Sequence, residues 1–232
     1  MKVNGIEVAT TVETKVVRRW SWRALQLAVA SVVLASLPAN AADVPDAPAD
    51  RALVERAGKI VSNLELGDVD RVARVRGVVA QQYADLQRLQ ADAEAALAAA
   101  GGDQVAQELA KAQSLVRTRE LHYAFLGRLA AELTPAQVDQ VKDGMTYGVL
   151  PLTYRVYQDM VPTLTDEQKR QILGWLTEAR EHAMDAGSSE EKHRWFGKYK
   201  GRINNYLAKA GIDLKQAERE MRERQKAAGK NP

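Results

Sequence analysis

Two stretches of spaced apolar residues, separated only by Gly101-Gly102, constrain the fold of this chain more than any other feature. Val69, Val72, Val79, Leu86, Ala93 and Leu97 recur mostly at seven-residue steps, and Val105, Leu109, Ala112, Val116, Arg119, Tyr123, Leu126 and Ala130 alternate at three and four. In a helix such steps gather side chains on one face, and an apolar face has to be covered. Ala91 to Ala100 adds a run of high helix propensity, the glycine pair stops it, and Asp103 is placed to cap the next helix. The pattern predicts a long antiparallel helical hairpin whose stripes pack on each other.

The rest of the chain extends that reading. Leu53, Val54, Ala57, Ile60, Val61 and Leu64 predict a short helix before the hairpin. After it, Thr134 with Gln137 and Thr165 with Gln168 each set a capping hydroxyl three residues ahead of a glutamine, and Pro135 stands at the first helical position. Tyr147 to Tyr157 has some strand character, and Pro151 predicts a break followed by another helix. One helix should run from Thr165 to Met184 and a second from a Ser188 cap to about Lys209. A last charged helix should open at Gly211-Ile212-Asp213 and fray from Arg219. Gly197 and Gly201 predict the close approach of another helix, or of Tyr147 and Tyr154. The expected class is all-α, a bundle of about seven helices with no sheet.

Residues 1–41 read as a signal peptide. Lys15, Arg18, Arg19 and Arg23 form a basic head, Ala24 to Leu37 an apolar run, and Ala39-Asn40-Ala41 a small-residue cleavage site. The apolar run is shorter than the roughly 20 residues that span a bilayer, so no stable membrane anchor is expected after cleavage. Arg18-Arg19 also resembles the pair of a twin-arginine signal. Pro45 and Pro48 predict an extended leader over 42–50, followed by one helical domain over 51–228 and a disordered tail at 229–232. Cleavage would leave 28 basic against 28 acidic side chains from the 33 and 30 of the whole chain. A formally neutral product carries no electrostatic footprint for nucleic acid. The chain has no cysteine, which excludes disulfides and thiolate metal sites. The expected location is periplasmic or secreted.

Chemistry-bearing residues concentrate in two places. In Ser188 to Lys209, six lysines and arginines stand against two acids. There Trp195, Lys198, Arg202 and Asn205 follow at steps of three, four and three, which would put an indole, two cations and an amide on one stripe. Such a stripe suits an acidic sugar: the ring stacks, the cations meet a carboxylate and the amide reads hydroxyls. The competing reading makes Phe196, Tyr199, Ile203, Tyr206 and Leu207 a buried face and the bases its rim. The second place is Glu178, His182 and Asp185 on one helix with His193 past the turn, a set suited to acid–base or metal chemistry but without the spacing of a zinc helix. It is read as a ligand-binding set, with no metal or other cofactor assigned and no catalytic residue named. His122 reads as a hydrogen-bonded core or rim histidine. No nucleophile motif or phosphate loop is present.

The segments KDGMTYGVLPLTY, EAREHAMDAGSSEEKH and WFGKYKGRINNY resemble the exported bacterial family called domain of unknown function 3826. That resemblance implies a link to polysaccharide utilisation, because such proteins are often encoded near polysaccharide-degrading enzymes. The doubled Leu-Thr-x-x-Gln pattern resembles the Spy and CpxP periplasmic chaperones. The expectation is an accessory protein that handles an acidic glycan or another cell-envelope component. A periplasmic chaperone or stress sensor and a glycan-cleaving enzyme are the alternatives.

Overall fold

The computed structural model describes residues 48–229. The expected signal peptide, residues 42–47 of the leader and residues 230–232 of the tail lie outside them. Eight α-helices follow one another: α1 Pro48–Val61, α2 Val69–Ala100, α3 Gln104–Ala130, α4 Pro135–Met145, α5 Val149–Met160, α6 Asp166–Met184, α7 Ser189–Lys209 and α8 Leu214–Ala227. A single 3-10 turn, Ser62–Leu64, follows α1, and no strand occurs among the described residues. No described helix is long and apolar enough to cross a membrane.

The helix starts form as their capping residues predict. The Thr134 hydroxyl accepts the Gln137 backbone N–H while the Gln137 amide oxygen accepts from the Thr134 N–H at 3.1 Å, and Thr165 with Gln168 repeats the arrangement. Asp68, Asp103, Ser188 and Asp213 cap α2, α3, α7 and α8 through their side chains. Each cap satisfies backbone donors that the first helical turn leaves open.

Three boundaries differ from expectation. Residues 48–50 belong to α1 rather than to an extended leader, because Pro48 occupies the first helical position, where a missing N–H has no consequence. Tyr147 to Tyr157 is neither strand-like nor broken at Pro151. The reversal comes earlier, at Tyr147 (φ 59°) and Gly148 (φ 65°), and Pro151 then sits within the first turn of α5. Leu150, Thr153 and Tyr157 of that segment are buried at helical steps. The charged C-terminal segment stays helical to Ala227, with Ile212 and Leu214 packed on the core and Arg224 donating to the Asp159 carbonyl at 2.8 Å.

Two buried clusters organise the bundle. The first joins α1 to α4 through Ala57, Val75, Val79, Phe125, Leu129 and Val141. The second joins α5, α6 and α7 through Tyr157, Ile172, Leu176, Phe196, Ile203 and Leu207. Consecutive residues of α6 bridge them, since Ala183 belongs to the second and Met184 to the first. Close approach of α1 and α4 depends on Gly144, where a methyl group would stand 2.8 Å from Ile60 Cγ2. Gly197 and Gly201 have no such neighbour, so the tight contact predicted for them is not made.

The hairpin of α2 and α3 is present, but α3 turns a different side inward. Val105, Leu109, Val116 and Tyr123 are 79%, 57%, 57% and 65% exposed. The half-buried side of α3 instead runs through Ala110, Ser114, Thr118 and Leu121 to buried Phe125 and Leu129. This second side lies about two residues out of phase with the first, on the opposite face of the helix, and its small side chains allow two helices to approach closely. In α2 the last buried residue is Leu86, so the part of the hairpin beyond it is at most half-buried.

Candidate functional site

Where the hairpin passes the paired helices α6 and α7, it leaves a groove of about 590 Å³. Leu86, Leu89, Ala93 and Leu97 of α2 with Leu115 of α3 form a largely apolar wall that also carries Gln90 and Glu94, and the opposite wall carries His182, Asp185, Glu191, Arg194, Trp195 and Lys198. A groove of that size with one greasy side and a few convergent polar groups has the character of a small-ligand site. A second groove of about 570 Å³ between α1 and α2 has Arg51, Glu55, Lys59 and Arg76 on its walls and no aromatic ring.

Trp195 is the centre of the polar wall. The His182 imidazole stacks on its indole with centroids 4.3 Å apart and planes 15° from parallel, and the Lys198 ammonium stands 5.0 Å from the ring centre. Both partners follow from register: α6 and α7 run antiparallel across the turn at residues 185–188, so His182 faces Trp195, while Lys198 lies three residues along α7 on the same side. Gly187 lies so close to the Gln90 amide of α2 that a methyl group there would overlap it. The turn is thereby seated against the hairpin at one end of the groove.

Asp185 reaches the groove from behind. Its Oδ2 lies 2.8 Å from His122 Nδ1 of α3, while its buried Oδ1 has no partner among the described residues. The hydrogen bond to Asp185 raises the His122 pKa above its ordinary 6.5, against the opposing effect of burial. Glu181 stands 3.6 Å from the other His122 nitrogen and pairs with Lys142 of α4 at 2.9 Å. Buried Arg180 next to it contacts Asp139 at 2.6 Å and Asp143 at 2.9 Å. The C-terminal end of α6, which presents His182 and Asp185, is thus tied to both α3 and α4. Lys192 is buried as well, donates to the Ala183 and Met184 carbonyls that end α6, and has its pKa pushed down to about 8 by burial.

His122 makes the stability of the fold depend on pH. Its raised pKa means that the His122–Asp185 pair contributes its full stability below the ordinary value of 6.5 and loses it as pH rises through the higher folded value. Thermal melts between pH 6 and 8.5 should show the wild type losing stability relative to His122→Gln as pH climbs. A constant difference across that range would mean that the pair contributes no pH-dependent stability.

Of the seven residues predicted for the site, Trp195, Lys198, His182 and Asp185 meet on the groove. Arg202, Asn205 and His193 do not line it. Arg202 lies over Trp175 and near Glu178, Asn205 is exposed, and His193 stacks against Tyr147 with centroids 5.9 Å apart. The stripe splits along its length: the three steps from Trp195 to Asn205 keep one face of α7 but advance about 15 Å along the axis, so only its first two residues reach the groove. Among the described residues no group of three or more histidine, cysteine or acidic side chains is placed to hold a metal ion. His182, Asp185 and His193 each have a different neighbour, so they do not form a joint acid–base set. The competing reading of α7 is largely realised: Phe196, Tyr199, Ile203 and Leu207 are buried, while Tyr206 is half-buried.

A family model described as "Protein of unknown function (DUF3826)" matches residues 51–227. The chain belongs to that family. No curated protein matches it. In this DUF3826 protein the match takes in both walls of the groove, from α2 to α7. Sequence reasoning missed Arg180, Lys192 and the pairing of His122 with Asp185. The first two had a legible signal, because each stands in phase with a buried stripe: Arg180 with Ile172, Leu176 and Ala183, and Lys192 with Phe196, Tyr199 and Ile203.

Proposed function

We propose that this DUF3826 protein is an exported, non-catalytic glycan-handling protein that binds an acidic oligosaccharide in the groove between the hairpin and the α6–α7 pair. The observation that carries the reading is the Trp195 indole, braced on His182 and flanked by Lys198 at the groove wall. A pyranose offers an apolar face of C–H groups that suits an indole, and a uronate adds a carboxylate that suits an ammonium or a guanidinium. Arg194 gives the groove a second cation. Lys198 rests on a flexible stem that a ligand can move aside. Export is supported by the basic head, apolar run and small-residue cleavage site within residues 1–41. Calorimetric titration with a panel of uronic-acid and neutral oligosaccharides tests the reading. Binding of a uronate-containing member supports it, and a panel with no ligand at all overturns it.

A periplasmic chaperone is the second reading, and one observation favours it. Val105, Leu109, Val116 and Tyr123 offer an uncovered apolar face along α3, the kind of surface on which an unfolded segment can rest. On this reading the protein suppresses aggregation of a denatured client at near-equal concentration, and Leu109→Ser with Val116→Ser abolishes the effect without changing the helical circular dichroism. Light scattering decides it, since full suppression by the double variant would remove that face from consideration.

A further inference from the structure

The contacts that brace Trp195 do not end at the groove. His182, which stacks on Trp195, also faces Tyr199 at 6.3 Å between centroids. One turn of α6 away, Glu178 approaches Arg202 at 3.8 Å, and the Arg202 guanidinium lies 4.7 Å from the centre of the Trp175 ring. Tyr206 then meets Trp175 edge-on at 5.2 Å. The row follows the seam between α6 and α7, and its exposed members, His182, Glu178, Lys198 and Arg202, lie outside the two buried clusters.

The row contains one arrangement twice. Trp195 has Lys198 at 5.0 Å from its ring centre, and Trp175 has Arg202 at 4.7 Å. The two helices keep register between them, because His182 to Trp175 on α6 and Trp195 to Arg202 on α7 are both steps of seven residues. Such a step advances about 10 Å along a helix, the span of about two pyranose units. A polymer that repeats a ring and a carboxylate would therefore find an indole and a cation at each of the two places. A small monomeric ligand would use only one.

We propose that Trp175 and Arg202 form a second uronate subsite, so that the protein binds an acidic oligosaccharide chain along the α6–α7 seam rather than a single sugar in the groove. The proposal rests on the groove reading and extends it. Glu178 holds the Arg202 side chain over the indole and offers an acceptor for a ring hydroxyl. The guanidinium suits this end of the track because it can lie flat on an indole and still donate to a carboxylate.

Titration with oligogalacturonates of two to six units tests it on the wild type, Trp175→Ala and Arg202→Gln. Affinity of the wild type should rise by about tenfold or more between two and four units, the size of one strong added contact, and then level off. Trp175→Ala should bind the dimer as the wild type does and the tetramer no better than the dimer. Arg202→Gln changes an exposed side chain and guards against a folding defect in Trp175→Ala; it should lower tetramer affinity with the dimer unaffected. Equal wild-type affinity for dimer and tetramer, or an Arg202→Gln tetramer affinity equal to that of the wild type, overturns the second subsite and leaves the groove reading standing. No binding at any length overturns both.

Discussion

Trp195→Ala should weaken binding of an oligogalacturonate by about thirtyfold or more while the thermal midpoint stays within a few degrees of the wild type. Truncation of an aromatic anchor at the centre of a site typically removes at least about 2 kcal/mol of binding free energy, which is about thirtyfold. Binding and folding separate at this residue because the indole is only half-buried, whereas its neighbour Phe196 is 2% exposed and belongs to the core. Trp195→Phe is the informative companion. It keeps a ring that can stack, so it should recover part of the affinity, while His182→Ala should show an intermediate loss because the indole loses its support. Wild-type affinity in Trp195→Ala, measured by calorimetry, would remove the groove wall from the binding reading.

Phe125→Ala should lower the stability of the fold by about 3–5 kcal/mol, the usual effect of emptying a fully buried aromatic site. For a domain of this size that shifts the thermal midpoint by about 10 °C, as differential scanning calorimetry can measure. Phe125 is wholly inaccessible to solvent and, with Leu129, is one of only two residues of α3 that are fully buried. The hairpin is therefore anchored near its base, and the apolar wall of the groove depends on that anchor. Phe125→Ala should accordingly weaken ligand binding in proportion to the population that has opened, with near-normal affinity at low temperature. Leu109→Ala, on the exposed side of the same helix, should leave the midpoint almost unchanged. Equal losses for the two variants would contradict the inward face described for α3.

The contrast between Phe125 and Leu109 also indicates what a sequence of this kind can reveal. The helices and their starts are local properties: Thr134 with Gln137, Thr165 with Gln168 and the aspartate caps act within one turn, and all of them form. Which side of a helix meets its neighbour is not local. Along α3 the side of Leu109 and Val116 is the more apolar, yet that of Ala110, Ser114 and Phe125 turns inward, because closeness of approach and the position of the C-terminal core anchor decide. The site divides in the same way. Trp195 and Lys198 are one helical step apart, and their placement on one wall is legible from spacing alone. His182 stacking on Trp195 requires the register of two helices, and His122 meeting Asp185 requires a contact 63 positions apart in the chain. Arg202 shares the spacing of the groove residues, but Trp175 on the neighbouring helix holds it elsewhere along the seam.

Beyond Leu86, α2 continues for 14 residues to Ala100, an arm that extends about 20 Å at the helical rise and adds no fully buried residue. The body of the protein therefore places little restriction on where that arm stops. Inserting or removing matched turns on either side of Gly101-Gly102 would alter reach and the depth of the greasy wall, yet leave the anchored end as it is. On the proposed binding reading, arm length would then set ligand size independently of the residues that make the chain fold.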